Sequence, residues 1–266
     1  MRNILLRIAY DGTEFFGWQI QPDRPTIQGT IAAALQAICG SPVAVCGSGR
    51  TDAGVHACAQ AANMQLESPI PCPNLVKALN RLLPESIRIL SAQPVAADFH
   101  ARHDAASKIY RYRIYRAAIC PPSLSRYVLP YPYPLDEAAM ELAARHFQGT
   151  LDFRSFAAGE ADNLPEEKDC VRTVFSSELS RQDEELTYTI AGNGFLHHMV
   201  RNIVGTLLEV GRSRLNGAQI PKIIELRSRS AAGPTAPARG LHLVSVTYPP
   251  GKLEPQLGID TYPGKG

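Results

Sequence analysis

No run in this chain approaches the roughly 18 apolar residues that a membrane helix needs. The opening Met1-Arg2-Asn3-Ile4-Leu5-Leu6-Arg7 carries charge at both ends of a very short apolar stretch. It lacks the form of a secretory leader and is expected to be the first strand of a soluble, cytoplasmic protein. Cysteine occurs at Cys39, Cys46, Cys58, Cys72, Cys120 and Cys170, but never as the C-x-x-C pair of a zinc ribbon or redox motif. The six are expected to be reduced and partly buried. Excess charge is also scarce. A net charge of +2 excludes the massive basic surface of an indiscriminate nucleic-acid binder, though not a local patch. Nucleotide-binding glycine signatures are missing too. Gly192-x-Gly194 lacks the third glycine of a dinucleotide fingerprint, and Gly47-x-Gly49 lacks the P-loop lysine.

What is present suffices for a folded core. The chain has 266 residues, of which 45% are hydrophobic, a size comfortable for two domains. Residues 3–10 read as a strand, and Thr26 caps the helical series Ile27, Ile31, Leu35, Ile38. A short strand at 42–46 follows, then a strand at 57–66, a helix opened by Pro73, and a strand at 87–95. The second half repeats the order: a strand at 107–116, a helix from Leu135 to Phe147 closed by Gly149, strands at 171–180 and 185–192, a helix over 196–211, a shorter one near 217–227, and a last strand at 241–248. The expected class is therefore α+β, with two ferredoxin-like split βαβ halves and a mainly antiparallel sheet. The expected domains are residues 1–105, 106–248 and a flexible Pro- and Gly-rich tail, 249–266.

Arginine is uneven. Arg102, Arg111, Arg113 and Arg116 form one cluster, and Arg201, Arg212, Arg214, Arg227 and Arg229 another. Guanidinium forks suit phosphate, although any one of these could equally be a solvated surface charge. The chemistry is expected at Gly47–Ala57. Three glycines in the eight residues 47–54 permit a tight turn after a strand. Asp52 lies within it between small neighbours, with Arg50 two residues away to keep the carboxylate ionised and aimed. An ionised aspartate is available at neutral pH as nucleophile or base. The same spacing would also make an Asx turn, with Asp52 bonded to its own backbone and Arg50 in a surface ion pair. Tyr110 and Tyr112 alternate on one strand face and, on spacing alone, read as core. Phe195 and Met199 read as packing. The pairs His100/His103 and His197/His198 could suggest metal, but neither comes with a third ligand at familiar spacing, so no metal is expected.

Gly49-Arg50-Thr51-Asp52-Ala53-Gly54-Val55-His56-Ala57 resembles the active-site signature of the tRNA pseudouridine synthase A family. The likeness extends to Tyr10-Asp11-Gly12-Thr13, Phe16-Gly17-Trp18-Gln19, Thr26-Ile27-Gln28-Gly29, Phe99-His100-Ala101-Arg102 and Lys108-Ile109-Tyr110-Arg111-Tyr112. It continues through Gly194–Gly205 and Ala236-Pro237-Ala238-Arg239-Gly240-Leu241. The resemblance implies a pseudouridine synthase fold and conversion of uridine to pseudouridine at positions 38, 39 and 40 of the tRNA anticodon stem-loop, without cofactor or metal, by a homodimer. It makes Asp52 the nucleophile and Tyr110 the substrate-binding tyrosine, whose ring can stack on a flipped uracil. It makes Arg50 and Arg102 contacts to tRNA during flipping, and Phe99, His100, Ala101, Arg102 and His103 a tRNA-binding stretch. Arg201 becomes a basic residue near the catalytic aspartate, and Leu241 an apolar pocket wall. One stretch departs from the family's pattern. Glu160–Asp169 is acidic, which repels phosphate, so tRNA contact there is not expected in the usual form. The rival readings are a non-catalytic RNA-binding module on the same fold and a different carboxylate enzyme; for the latter, no second acid accompanies Asp52.

Overall fold

A computed structural model describes residues 1–158 and 169–253. The expectations for the acidic stretch and the tail lie outside the described residues, apart from Asp169 and residues 249–253. The first half runs β1 (Arg2–Tyr10), α1 (Ile27–Cys39), β2 (Cys46–Gly47), β3 (His56–Leu66), α2 (Cys72–Leu82) and β4 (Ile87–Val95). The Thr26 hydroxyl accepts from the Gly29 N–H at the start of α1, and Gly40, at φ 74°, ends it in the left-handed region. The strand expected over 42–46 shrinks to the two residues of β2. The Val45 carbonyl is taken by the Gln28 side chain instead, at 2.8 Å, so ladder pairing starts only at Cys46↔Asn63.

The second half runs β5 (Ser107–Tyr115), α3 (Pro122–Ser125), β6 (Leu129–Pro130), α4 (Glu137–Ala144), β7 (Gly149–Asp152), β8 (Val171–Gln182), β9 (Glu185–Gly192), α5 (Met199–Gly211), α6 (Ile220–Leu226) and β10 (Leu241–Thr247). The helix expected from Leu135 starts later, because Asp136 caps it by accepting from the Ala139 N–H. Its end tightens to a 3₁₀ turn at 145–147, and Gly149, at φ 112°, opens β7 rather than closing a helix. The helix expected from 196 starts at Met199, since His198 sits at φ 61° and cannot continue a right-handed helix. The helix expected from 217 likewise opens as a 3₁₀ turn, 217–219, before α6.

The described strands form one sheet in the order β4-β1-β3-β10-β5-β9-β8-β7, with β2 on β3 and β6 on β5. Only β3–β10 and β5–β6 pair parallel, so the class is α+β with a mainly antiparallel sheet. The chain's last described strand lies between the two halves. It pairs antiparallel with β5 over six register positions but parallel with β3 over only two, His242↔His56 and Leu243↔Ala57. On β5, Lys108, Tyr110, Tyr112 and Ile114 are buried while Arg111 is exposed. The strand therefore has one packed face, and the side chains of that face floor the site described next. Among the described residues no helix is long and apolar enough to cross a membrane.

Candidate active site

The segment 51–55 is clamped from the N-terminal side. The Trp18 N–H donates to the Thr51 carbonyl at 3.0 Å, and the Gly54 N–H donates to the Phe15 carbonyl at 3.3 Å. Tyr10 and Thr51 share a buried hydroxyl–hydroxyl bond of 2.8 Å. Backbones approach so closely that a Cβ on Gly12 would stand 2.0 Å from the Val55 carbonyl oxygen. The turn itself is closed by the Val55 N–H to the Asp52 carbonyl at 3.2 Å, with Gly54 at φ 76°, a conformation that favours glycine.

The Asp52 carboxylate does not cap its own turn. Its Oδ2 accepts from Arg201 Nη1 at 2.7 Å, and the Arg201 Nε donates to the Ala236 carbonyl at 2.8 Å. His197 Nε2 lies 3.3 Å from Oδ1 and His198 Nε2 lies 3.4 Å from Oδ2. Burial alone would raise the carboxyl's pKa. Hydrogen bonds from His197 and Arg201, with the charges of His198 and Arg201, outweigh burial and hold the group below its ordinary value. The cation that holds Asp52 is thus Arg201 on α5, not Arg50. Arg50 is exposed and forms no ion pair among the described residues. Two consecutive histidines reach Asp52 because His198 adopts the left-handed backbone at the head of α5.

The floor is aromatic. Tyr110 is buried, with its ring edge-on to Phe195 at a centroid distance of 5.0 Å. Burial first, then neighbouring Tyr10 and Asp52, push its hydroxyl well above the ordinary value, so it stays protonated at neutral pH. Leu241 is buried at the start of β10, opposite Tyr112. Met199 is fully buried, as packing requires. One wall is cationic. The Lys108 ammonium donates to the Ser48 carbonyl at 2.8 Å. Burial, then the charges of Arg102 and Arg172, push its pKa down to about 8.

The stretch 99–103 divides by depth. Phe99 and Ala101 are buried, and their backbones are held from inside. The Phe99 carbonyl accepts from Asn3 at 2.8 Å and Asn63 at 3.2 Å, and the Ala101 carbonyl accepts from the Tyr248 hydroxyl at 2.8 Å. Contact with any ligand there falls to His100, Arg102 and His103, which keep some or full exposure. The rings of His100 and His103 lie 4.3 Å apart. Composition and spacing pointed to neither the Asp52–His197–His198 grouping nor Lys108. The adjacent histidines were visible, but their third neighbour is 145 residues upstream. A separate groove of about 510 Å³, lined by Arg111, Arg113, Glu185 and His242, opens on the other face of β5, away from Asp52.

A family model described as tRNA pseudouridine synthase matches residues 7–104 and 143–249. The tRNA pseudouridine synthase A of Solibacter usitatus is 53% identical over 248 residues, covering 93% of this chain and all of that protein. The proteins of the same name from Caldicellulosiruptor bescii and Halalkalibacterium halodurans are 46% and 45% identical. They cover 93% and 96% of this chain, and 100% and 95% of their own lengths. Fold and comparisons together define the class, an isomerase that modifies tRNA. The chain belongs to the tRNA pseudouridine synthase family, and its mixed, mainly antiparallel sheet is the pseudouridine synthase fold.

Proposed function

We propose that this protein isomerises uridine to pseudouridine at positions 38, 39 and 40 of the tRNA anticodon stem-loop, with Asp52 as the nucleophile. The observation that carries the reading is the setting of Asp52. It is a mostly enclosed carboxylate, kept ionised by Arg201 at 2.7 Å, near enough to Tyr110 for its charge to act on the tyrosine hydroxyl, on a turn clamped by Tyr10 and Trp18. An ionised, rigidly held carboxylate is what covalent attack on a nucleoside requires. The net reaction breaks the C1′–N1 bond and forms C1′–C5. C5 loses a proton and N1 gains one, so no oxidant, cofactor or metal is needed.

A base within a stem must be flipped out to meet Asp52. Tyr110 would face the flipped uracil, and Leu241 would close the pocket beside it. The exposed side chains of Arg50 and Arg102 have no ion partner among the described residues, which suits phosphate contact during flipping. In the stretch 99–103, Phe99 and Ala101 would shape the loop that presents His100, Arg102 and His103 to the RNA. We further propose cytoplasmic action, halves 1–105 and 106–248 each supplying one wall, and a homodimer, checked by light scattering at micromolar concentration.

The decisive experiment is conversion of an anticodon-stem transcript, mapped by carbodiimide. Wild type should modify the stem, and Asp52→Asn should bind the same RNA while losing turnover by at least about a thousand-fold. Tight binding by folded wild type without conversion would make the protein an RNA-binding module instead. Substantial turnover by Asp52→Asn would remove Asp52 from the nucleophile role.

A further inference from the structure

The geometry around Asp52 does more than hold a carboxylate ionised. One donor atom from each of Asp52, His197 and His198 can be chosen so that all three lie within 4.8 Å of one another. The two histidine-to-carboxylate separations are 3.3 and 3.4 Å. A tetrahedral ion with bonds of roughly 2.0–2.1 Å sets its ligands about 3.3–3.4 Å apart, and each imidazole already stands at that distance from one oxygen of the carboxylate, His197 from Oδ1 and His198 from Oδ2. Arg201 bonds Oδ2, which leaves Oδ1 for an ion. With Oδ1 as the ligand the His197 edge is in place, and binding would draw in the other two by rotation of the imidazoles; the His197 side chain, 66% exposed, has room to turn and gives solvent a way in. Two imidazoles and one carboxylate oxygen suit zinc, cobalt(II) or nickel(II), whereas magnesium and calcium favour all-oxygen shells. Three protein ligands would leave a fourth position for water.

We propose that Asp52, His197 and His198 form a binding site for a zinc-class divalent ion, and that occupancy switches the enzyme off by withdrawing the carboxylate from the substrate. The inhibitory half rests on Asp52 being the nucleophile; the binding half does not. The ion takes part in no catalytic step. It competes with the RNA for the same carboxylate, so zinc-class metals inhibit at concentrations where magnesium has no effect.

Cobalt(II) is the probe, because its visible d–d absorption reports a low-coordinate site independently of activity. Full-length wild type should give a saturable band at one ion per chain, displaced by zinc. His197→Asn/His198→Asn should bind at least about ten-fold more weakly; asparagine is chosen because it tolerates the left-handed backbone of position 198. Asp52→Asn, which is expected to retain tRNA binding as proof of folding, should also bind cobalt more weakly. Micromolar zinc should suppress wild-type turnover competitively with tRNA, and a chelator should restore it. An identical titration in wild type and both variants would overturn the site, assigning the metal to groups the variants retain, such as His100 and His103 or the exposed thiols of Cys46 and Cys58. Cobalt bound at the cluster with turnover undiminished would overturn the inhibitory half and count against Asp52 as nucleophile.

Discussion

At the scale of the residue, Arg201 and Arg102 carry different loads. The Arg201 side chain is 15% exposed and spends its donors on Asp52 and the Ala236 carbonyl, so it faces the carboxylate rather than bulk solvent. Arg201→Ala should therefore lower kcat by about a hundred-fold while the KM for tRNA changes little. Arg102 is exposed and spends no side-chain donor on an ion pair among the described residues. Arg102→Ala should weaken binding and reduce the salt slope of tRNA affinity by about one unit, with kcat for bound RNA nearly unchanged. Filter binding over a salt series and single-turnover kinetics separate the two. The Arg201 assignment also marks a limit of reading along the chain. Arg50, two residues away, was the natural partner for Asp52, but Arg50 turns to solvent and the partner comes from 149 positions downstream. Short spacing reports local backbone, and only tertiary packing brings α5 to the turn. The family resemblance had already placed Arg201 near Asp52, without its distance or its second bond to Ala236.

At the scale of the element, α5 positions the site because its neighbours fit tightly. A Cβ on Gly205 would lie 1.6 Å from the Pro234 carbonyl oxygen, and the segment beyond Pro234 bonds Arg201 at both ends through Ala236. Gly205→Ala should destabilise the protein by at least about 2 kcal/mol through overpacking. It should also lower turnover by displacing Arg201. Thermal melts and kcat check both, and an unchanged kcat with a lowered Tm would confine the effect to packing. Strong periodicity made β1, β3, α1, α2, β4, β5, β8, β9 and β10 legible to within one to three residues. The failures have local causes. Val45 gives its carbonyl to Gln28, Asp136 caps α4 late, and His198 turns left-handed. The short α3, β6 and β7 are too brief to show a period.

At the scale of the whole molecule, the two halves meet at the narrow β3–β10 seam, with two parallel register positions. His56 and His242 stack across it at a centroid distance of 4.8 Å. His242 Nε2 donates to the Tyr127 carbonyl, and Arg113, Glu185 and His56 face it. His56 faces Asp11 and the Arg126 carbonyl. Burial first, then neighbouring positive charge, pushes His242 down to about 4; burial lowers His56 as well, against Asp11. A lowered histidine pKa means the unfolded chain takes up protons that the folded one refuses. Stability is then complete above about pH 6.5 and is lost as pH falls toward 4. His242 alone should cost about 2 kcal/mol at pH 5, and both histidines act in the same direction. Denaturant melts at pH 7.5 and 5 should show the loss, and His242→Phe should flatten it while keeping a ring in the stack. Equal pH dependence in that variant would clear His242.

The same seam orders events during synthesis. β10 ends at Thr247 and lies between strands made much earlier, so the ribosome releases the catalytic turn long before the strand that flanks it. Until that strand emerges, β3 has an open edge on the side β10 will occupy, and the segment that carries the Ala236 carbonyl to Arg201 is not yet anchored by the strand that follows it. An aborted product should thus be inactive rather than feebly active, and the nascent chain should depend most on chaperones just before its final strand appears.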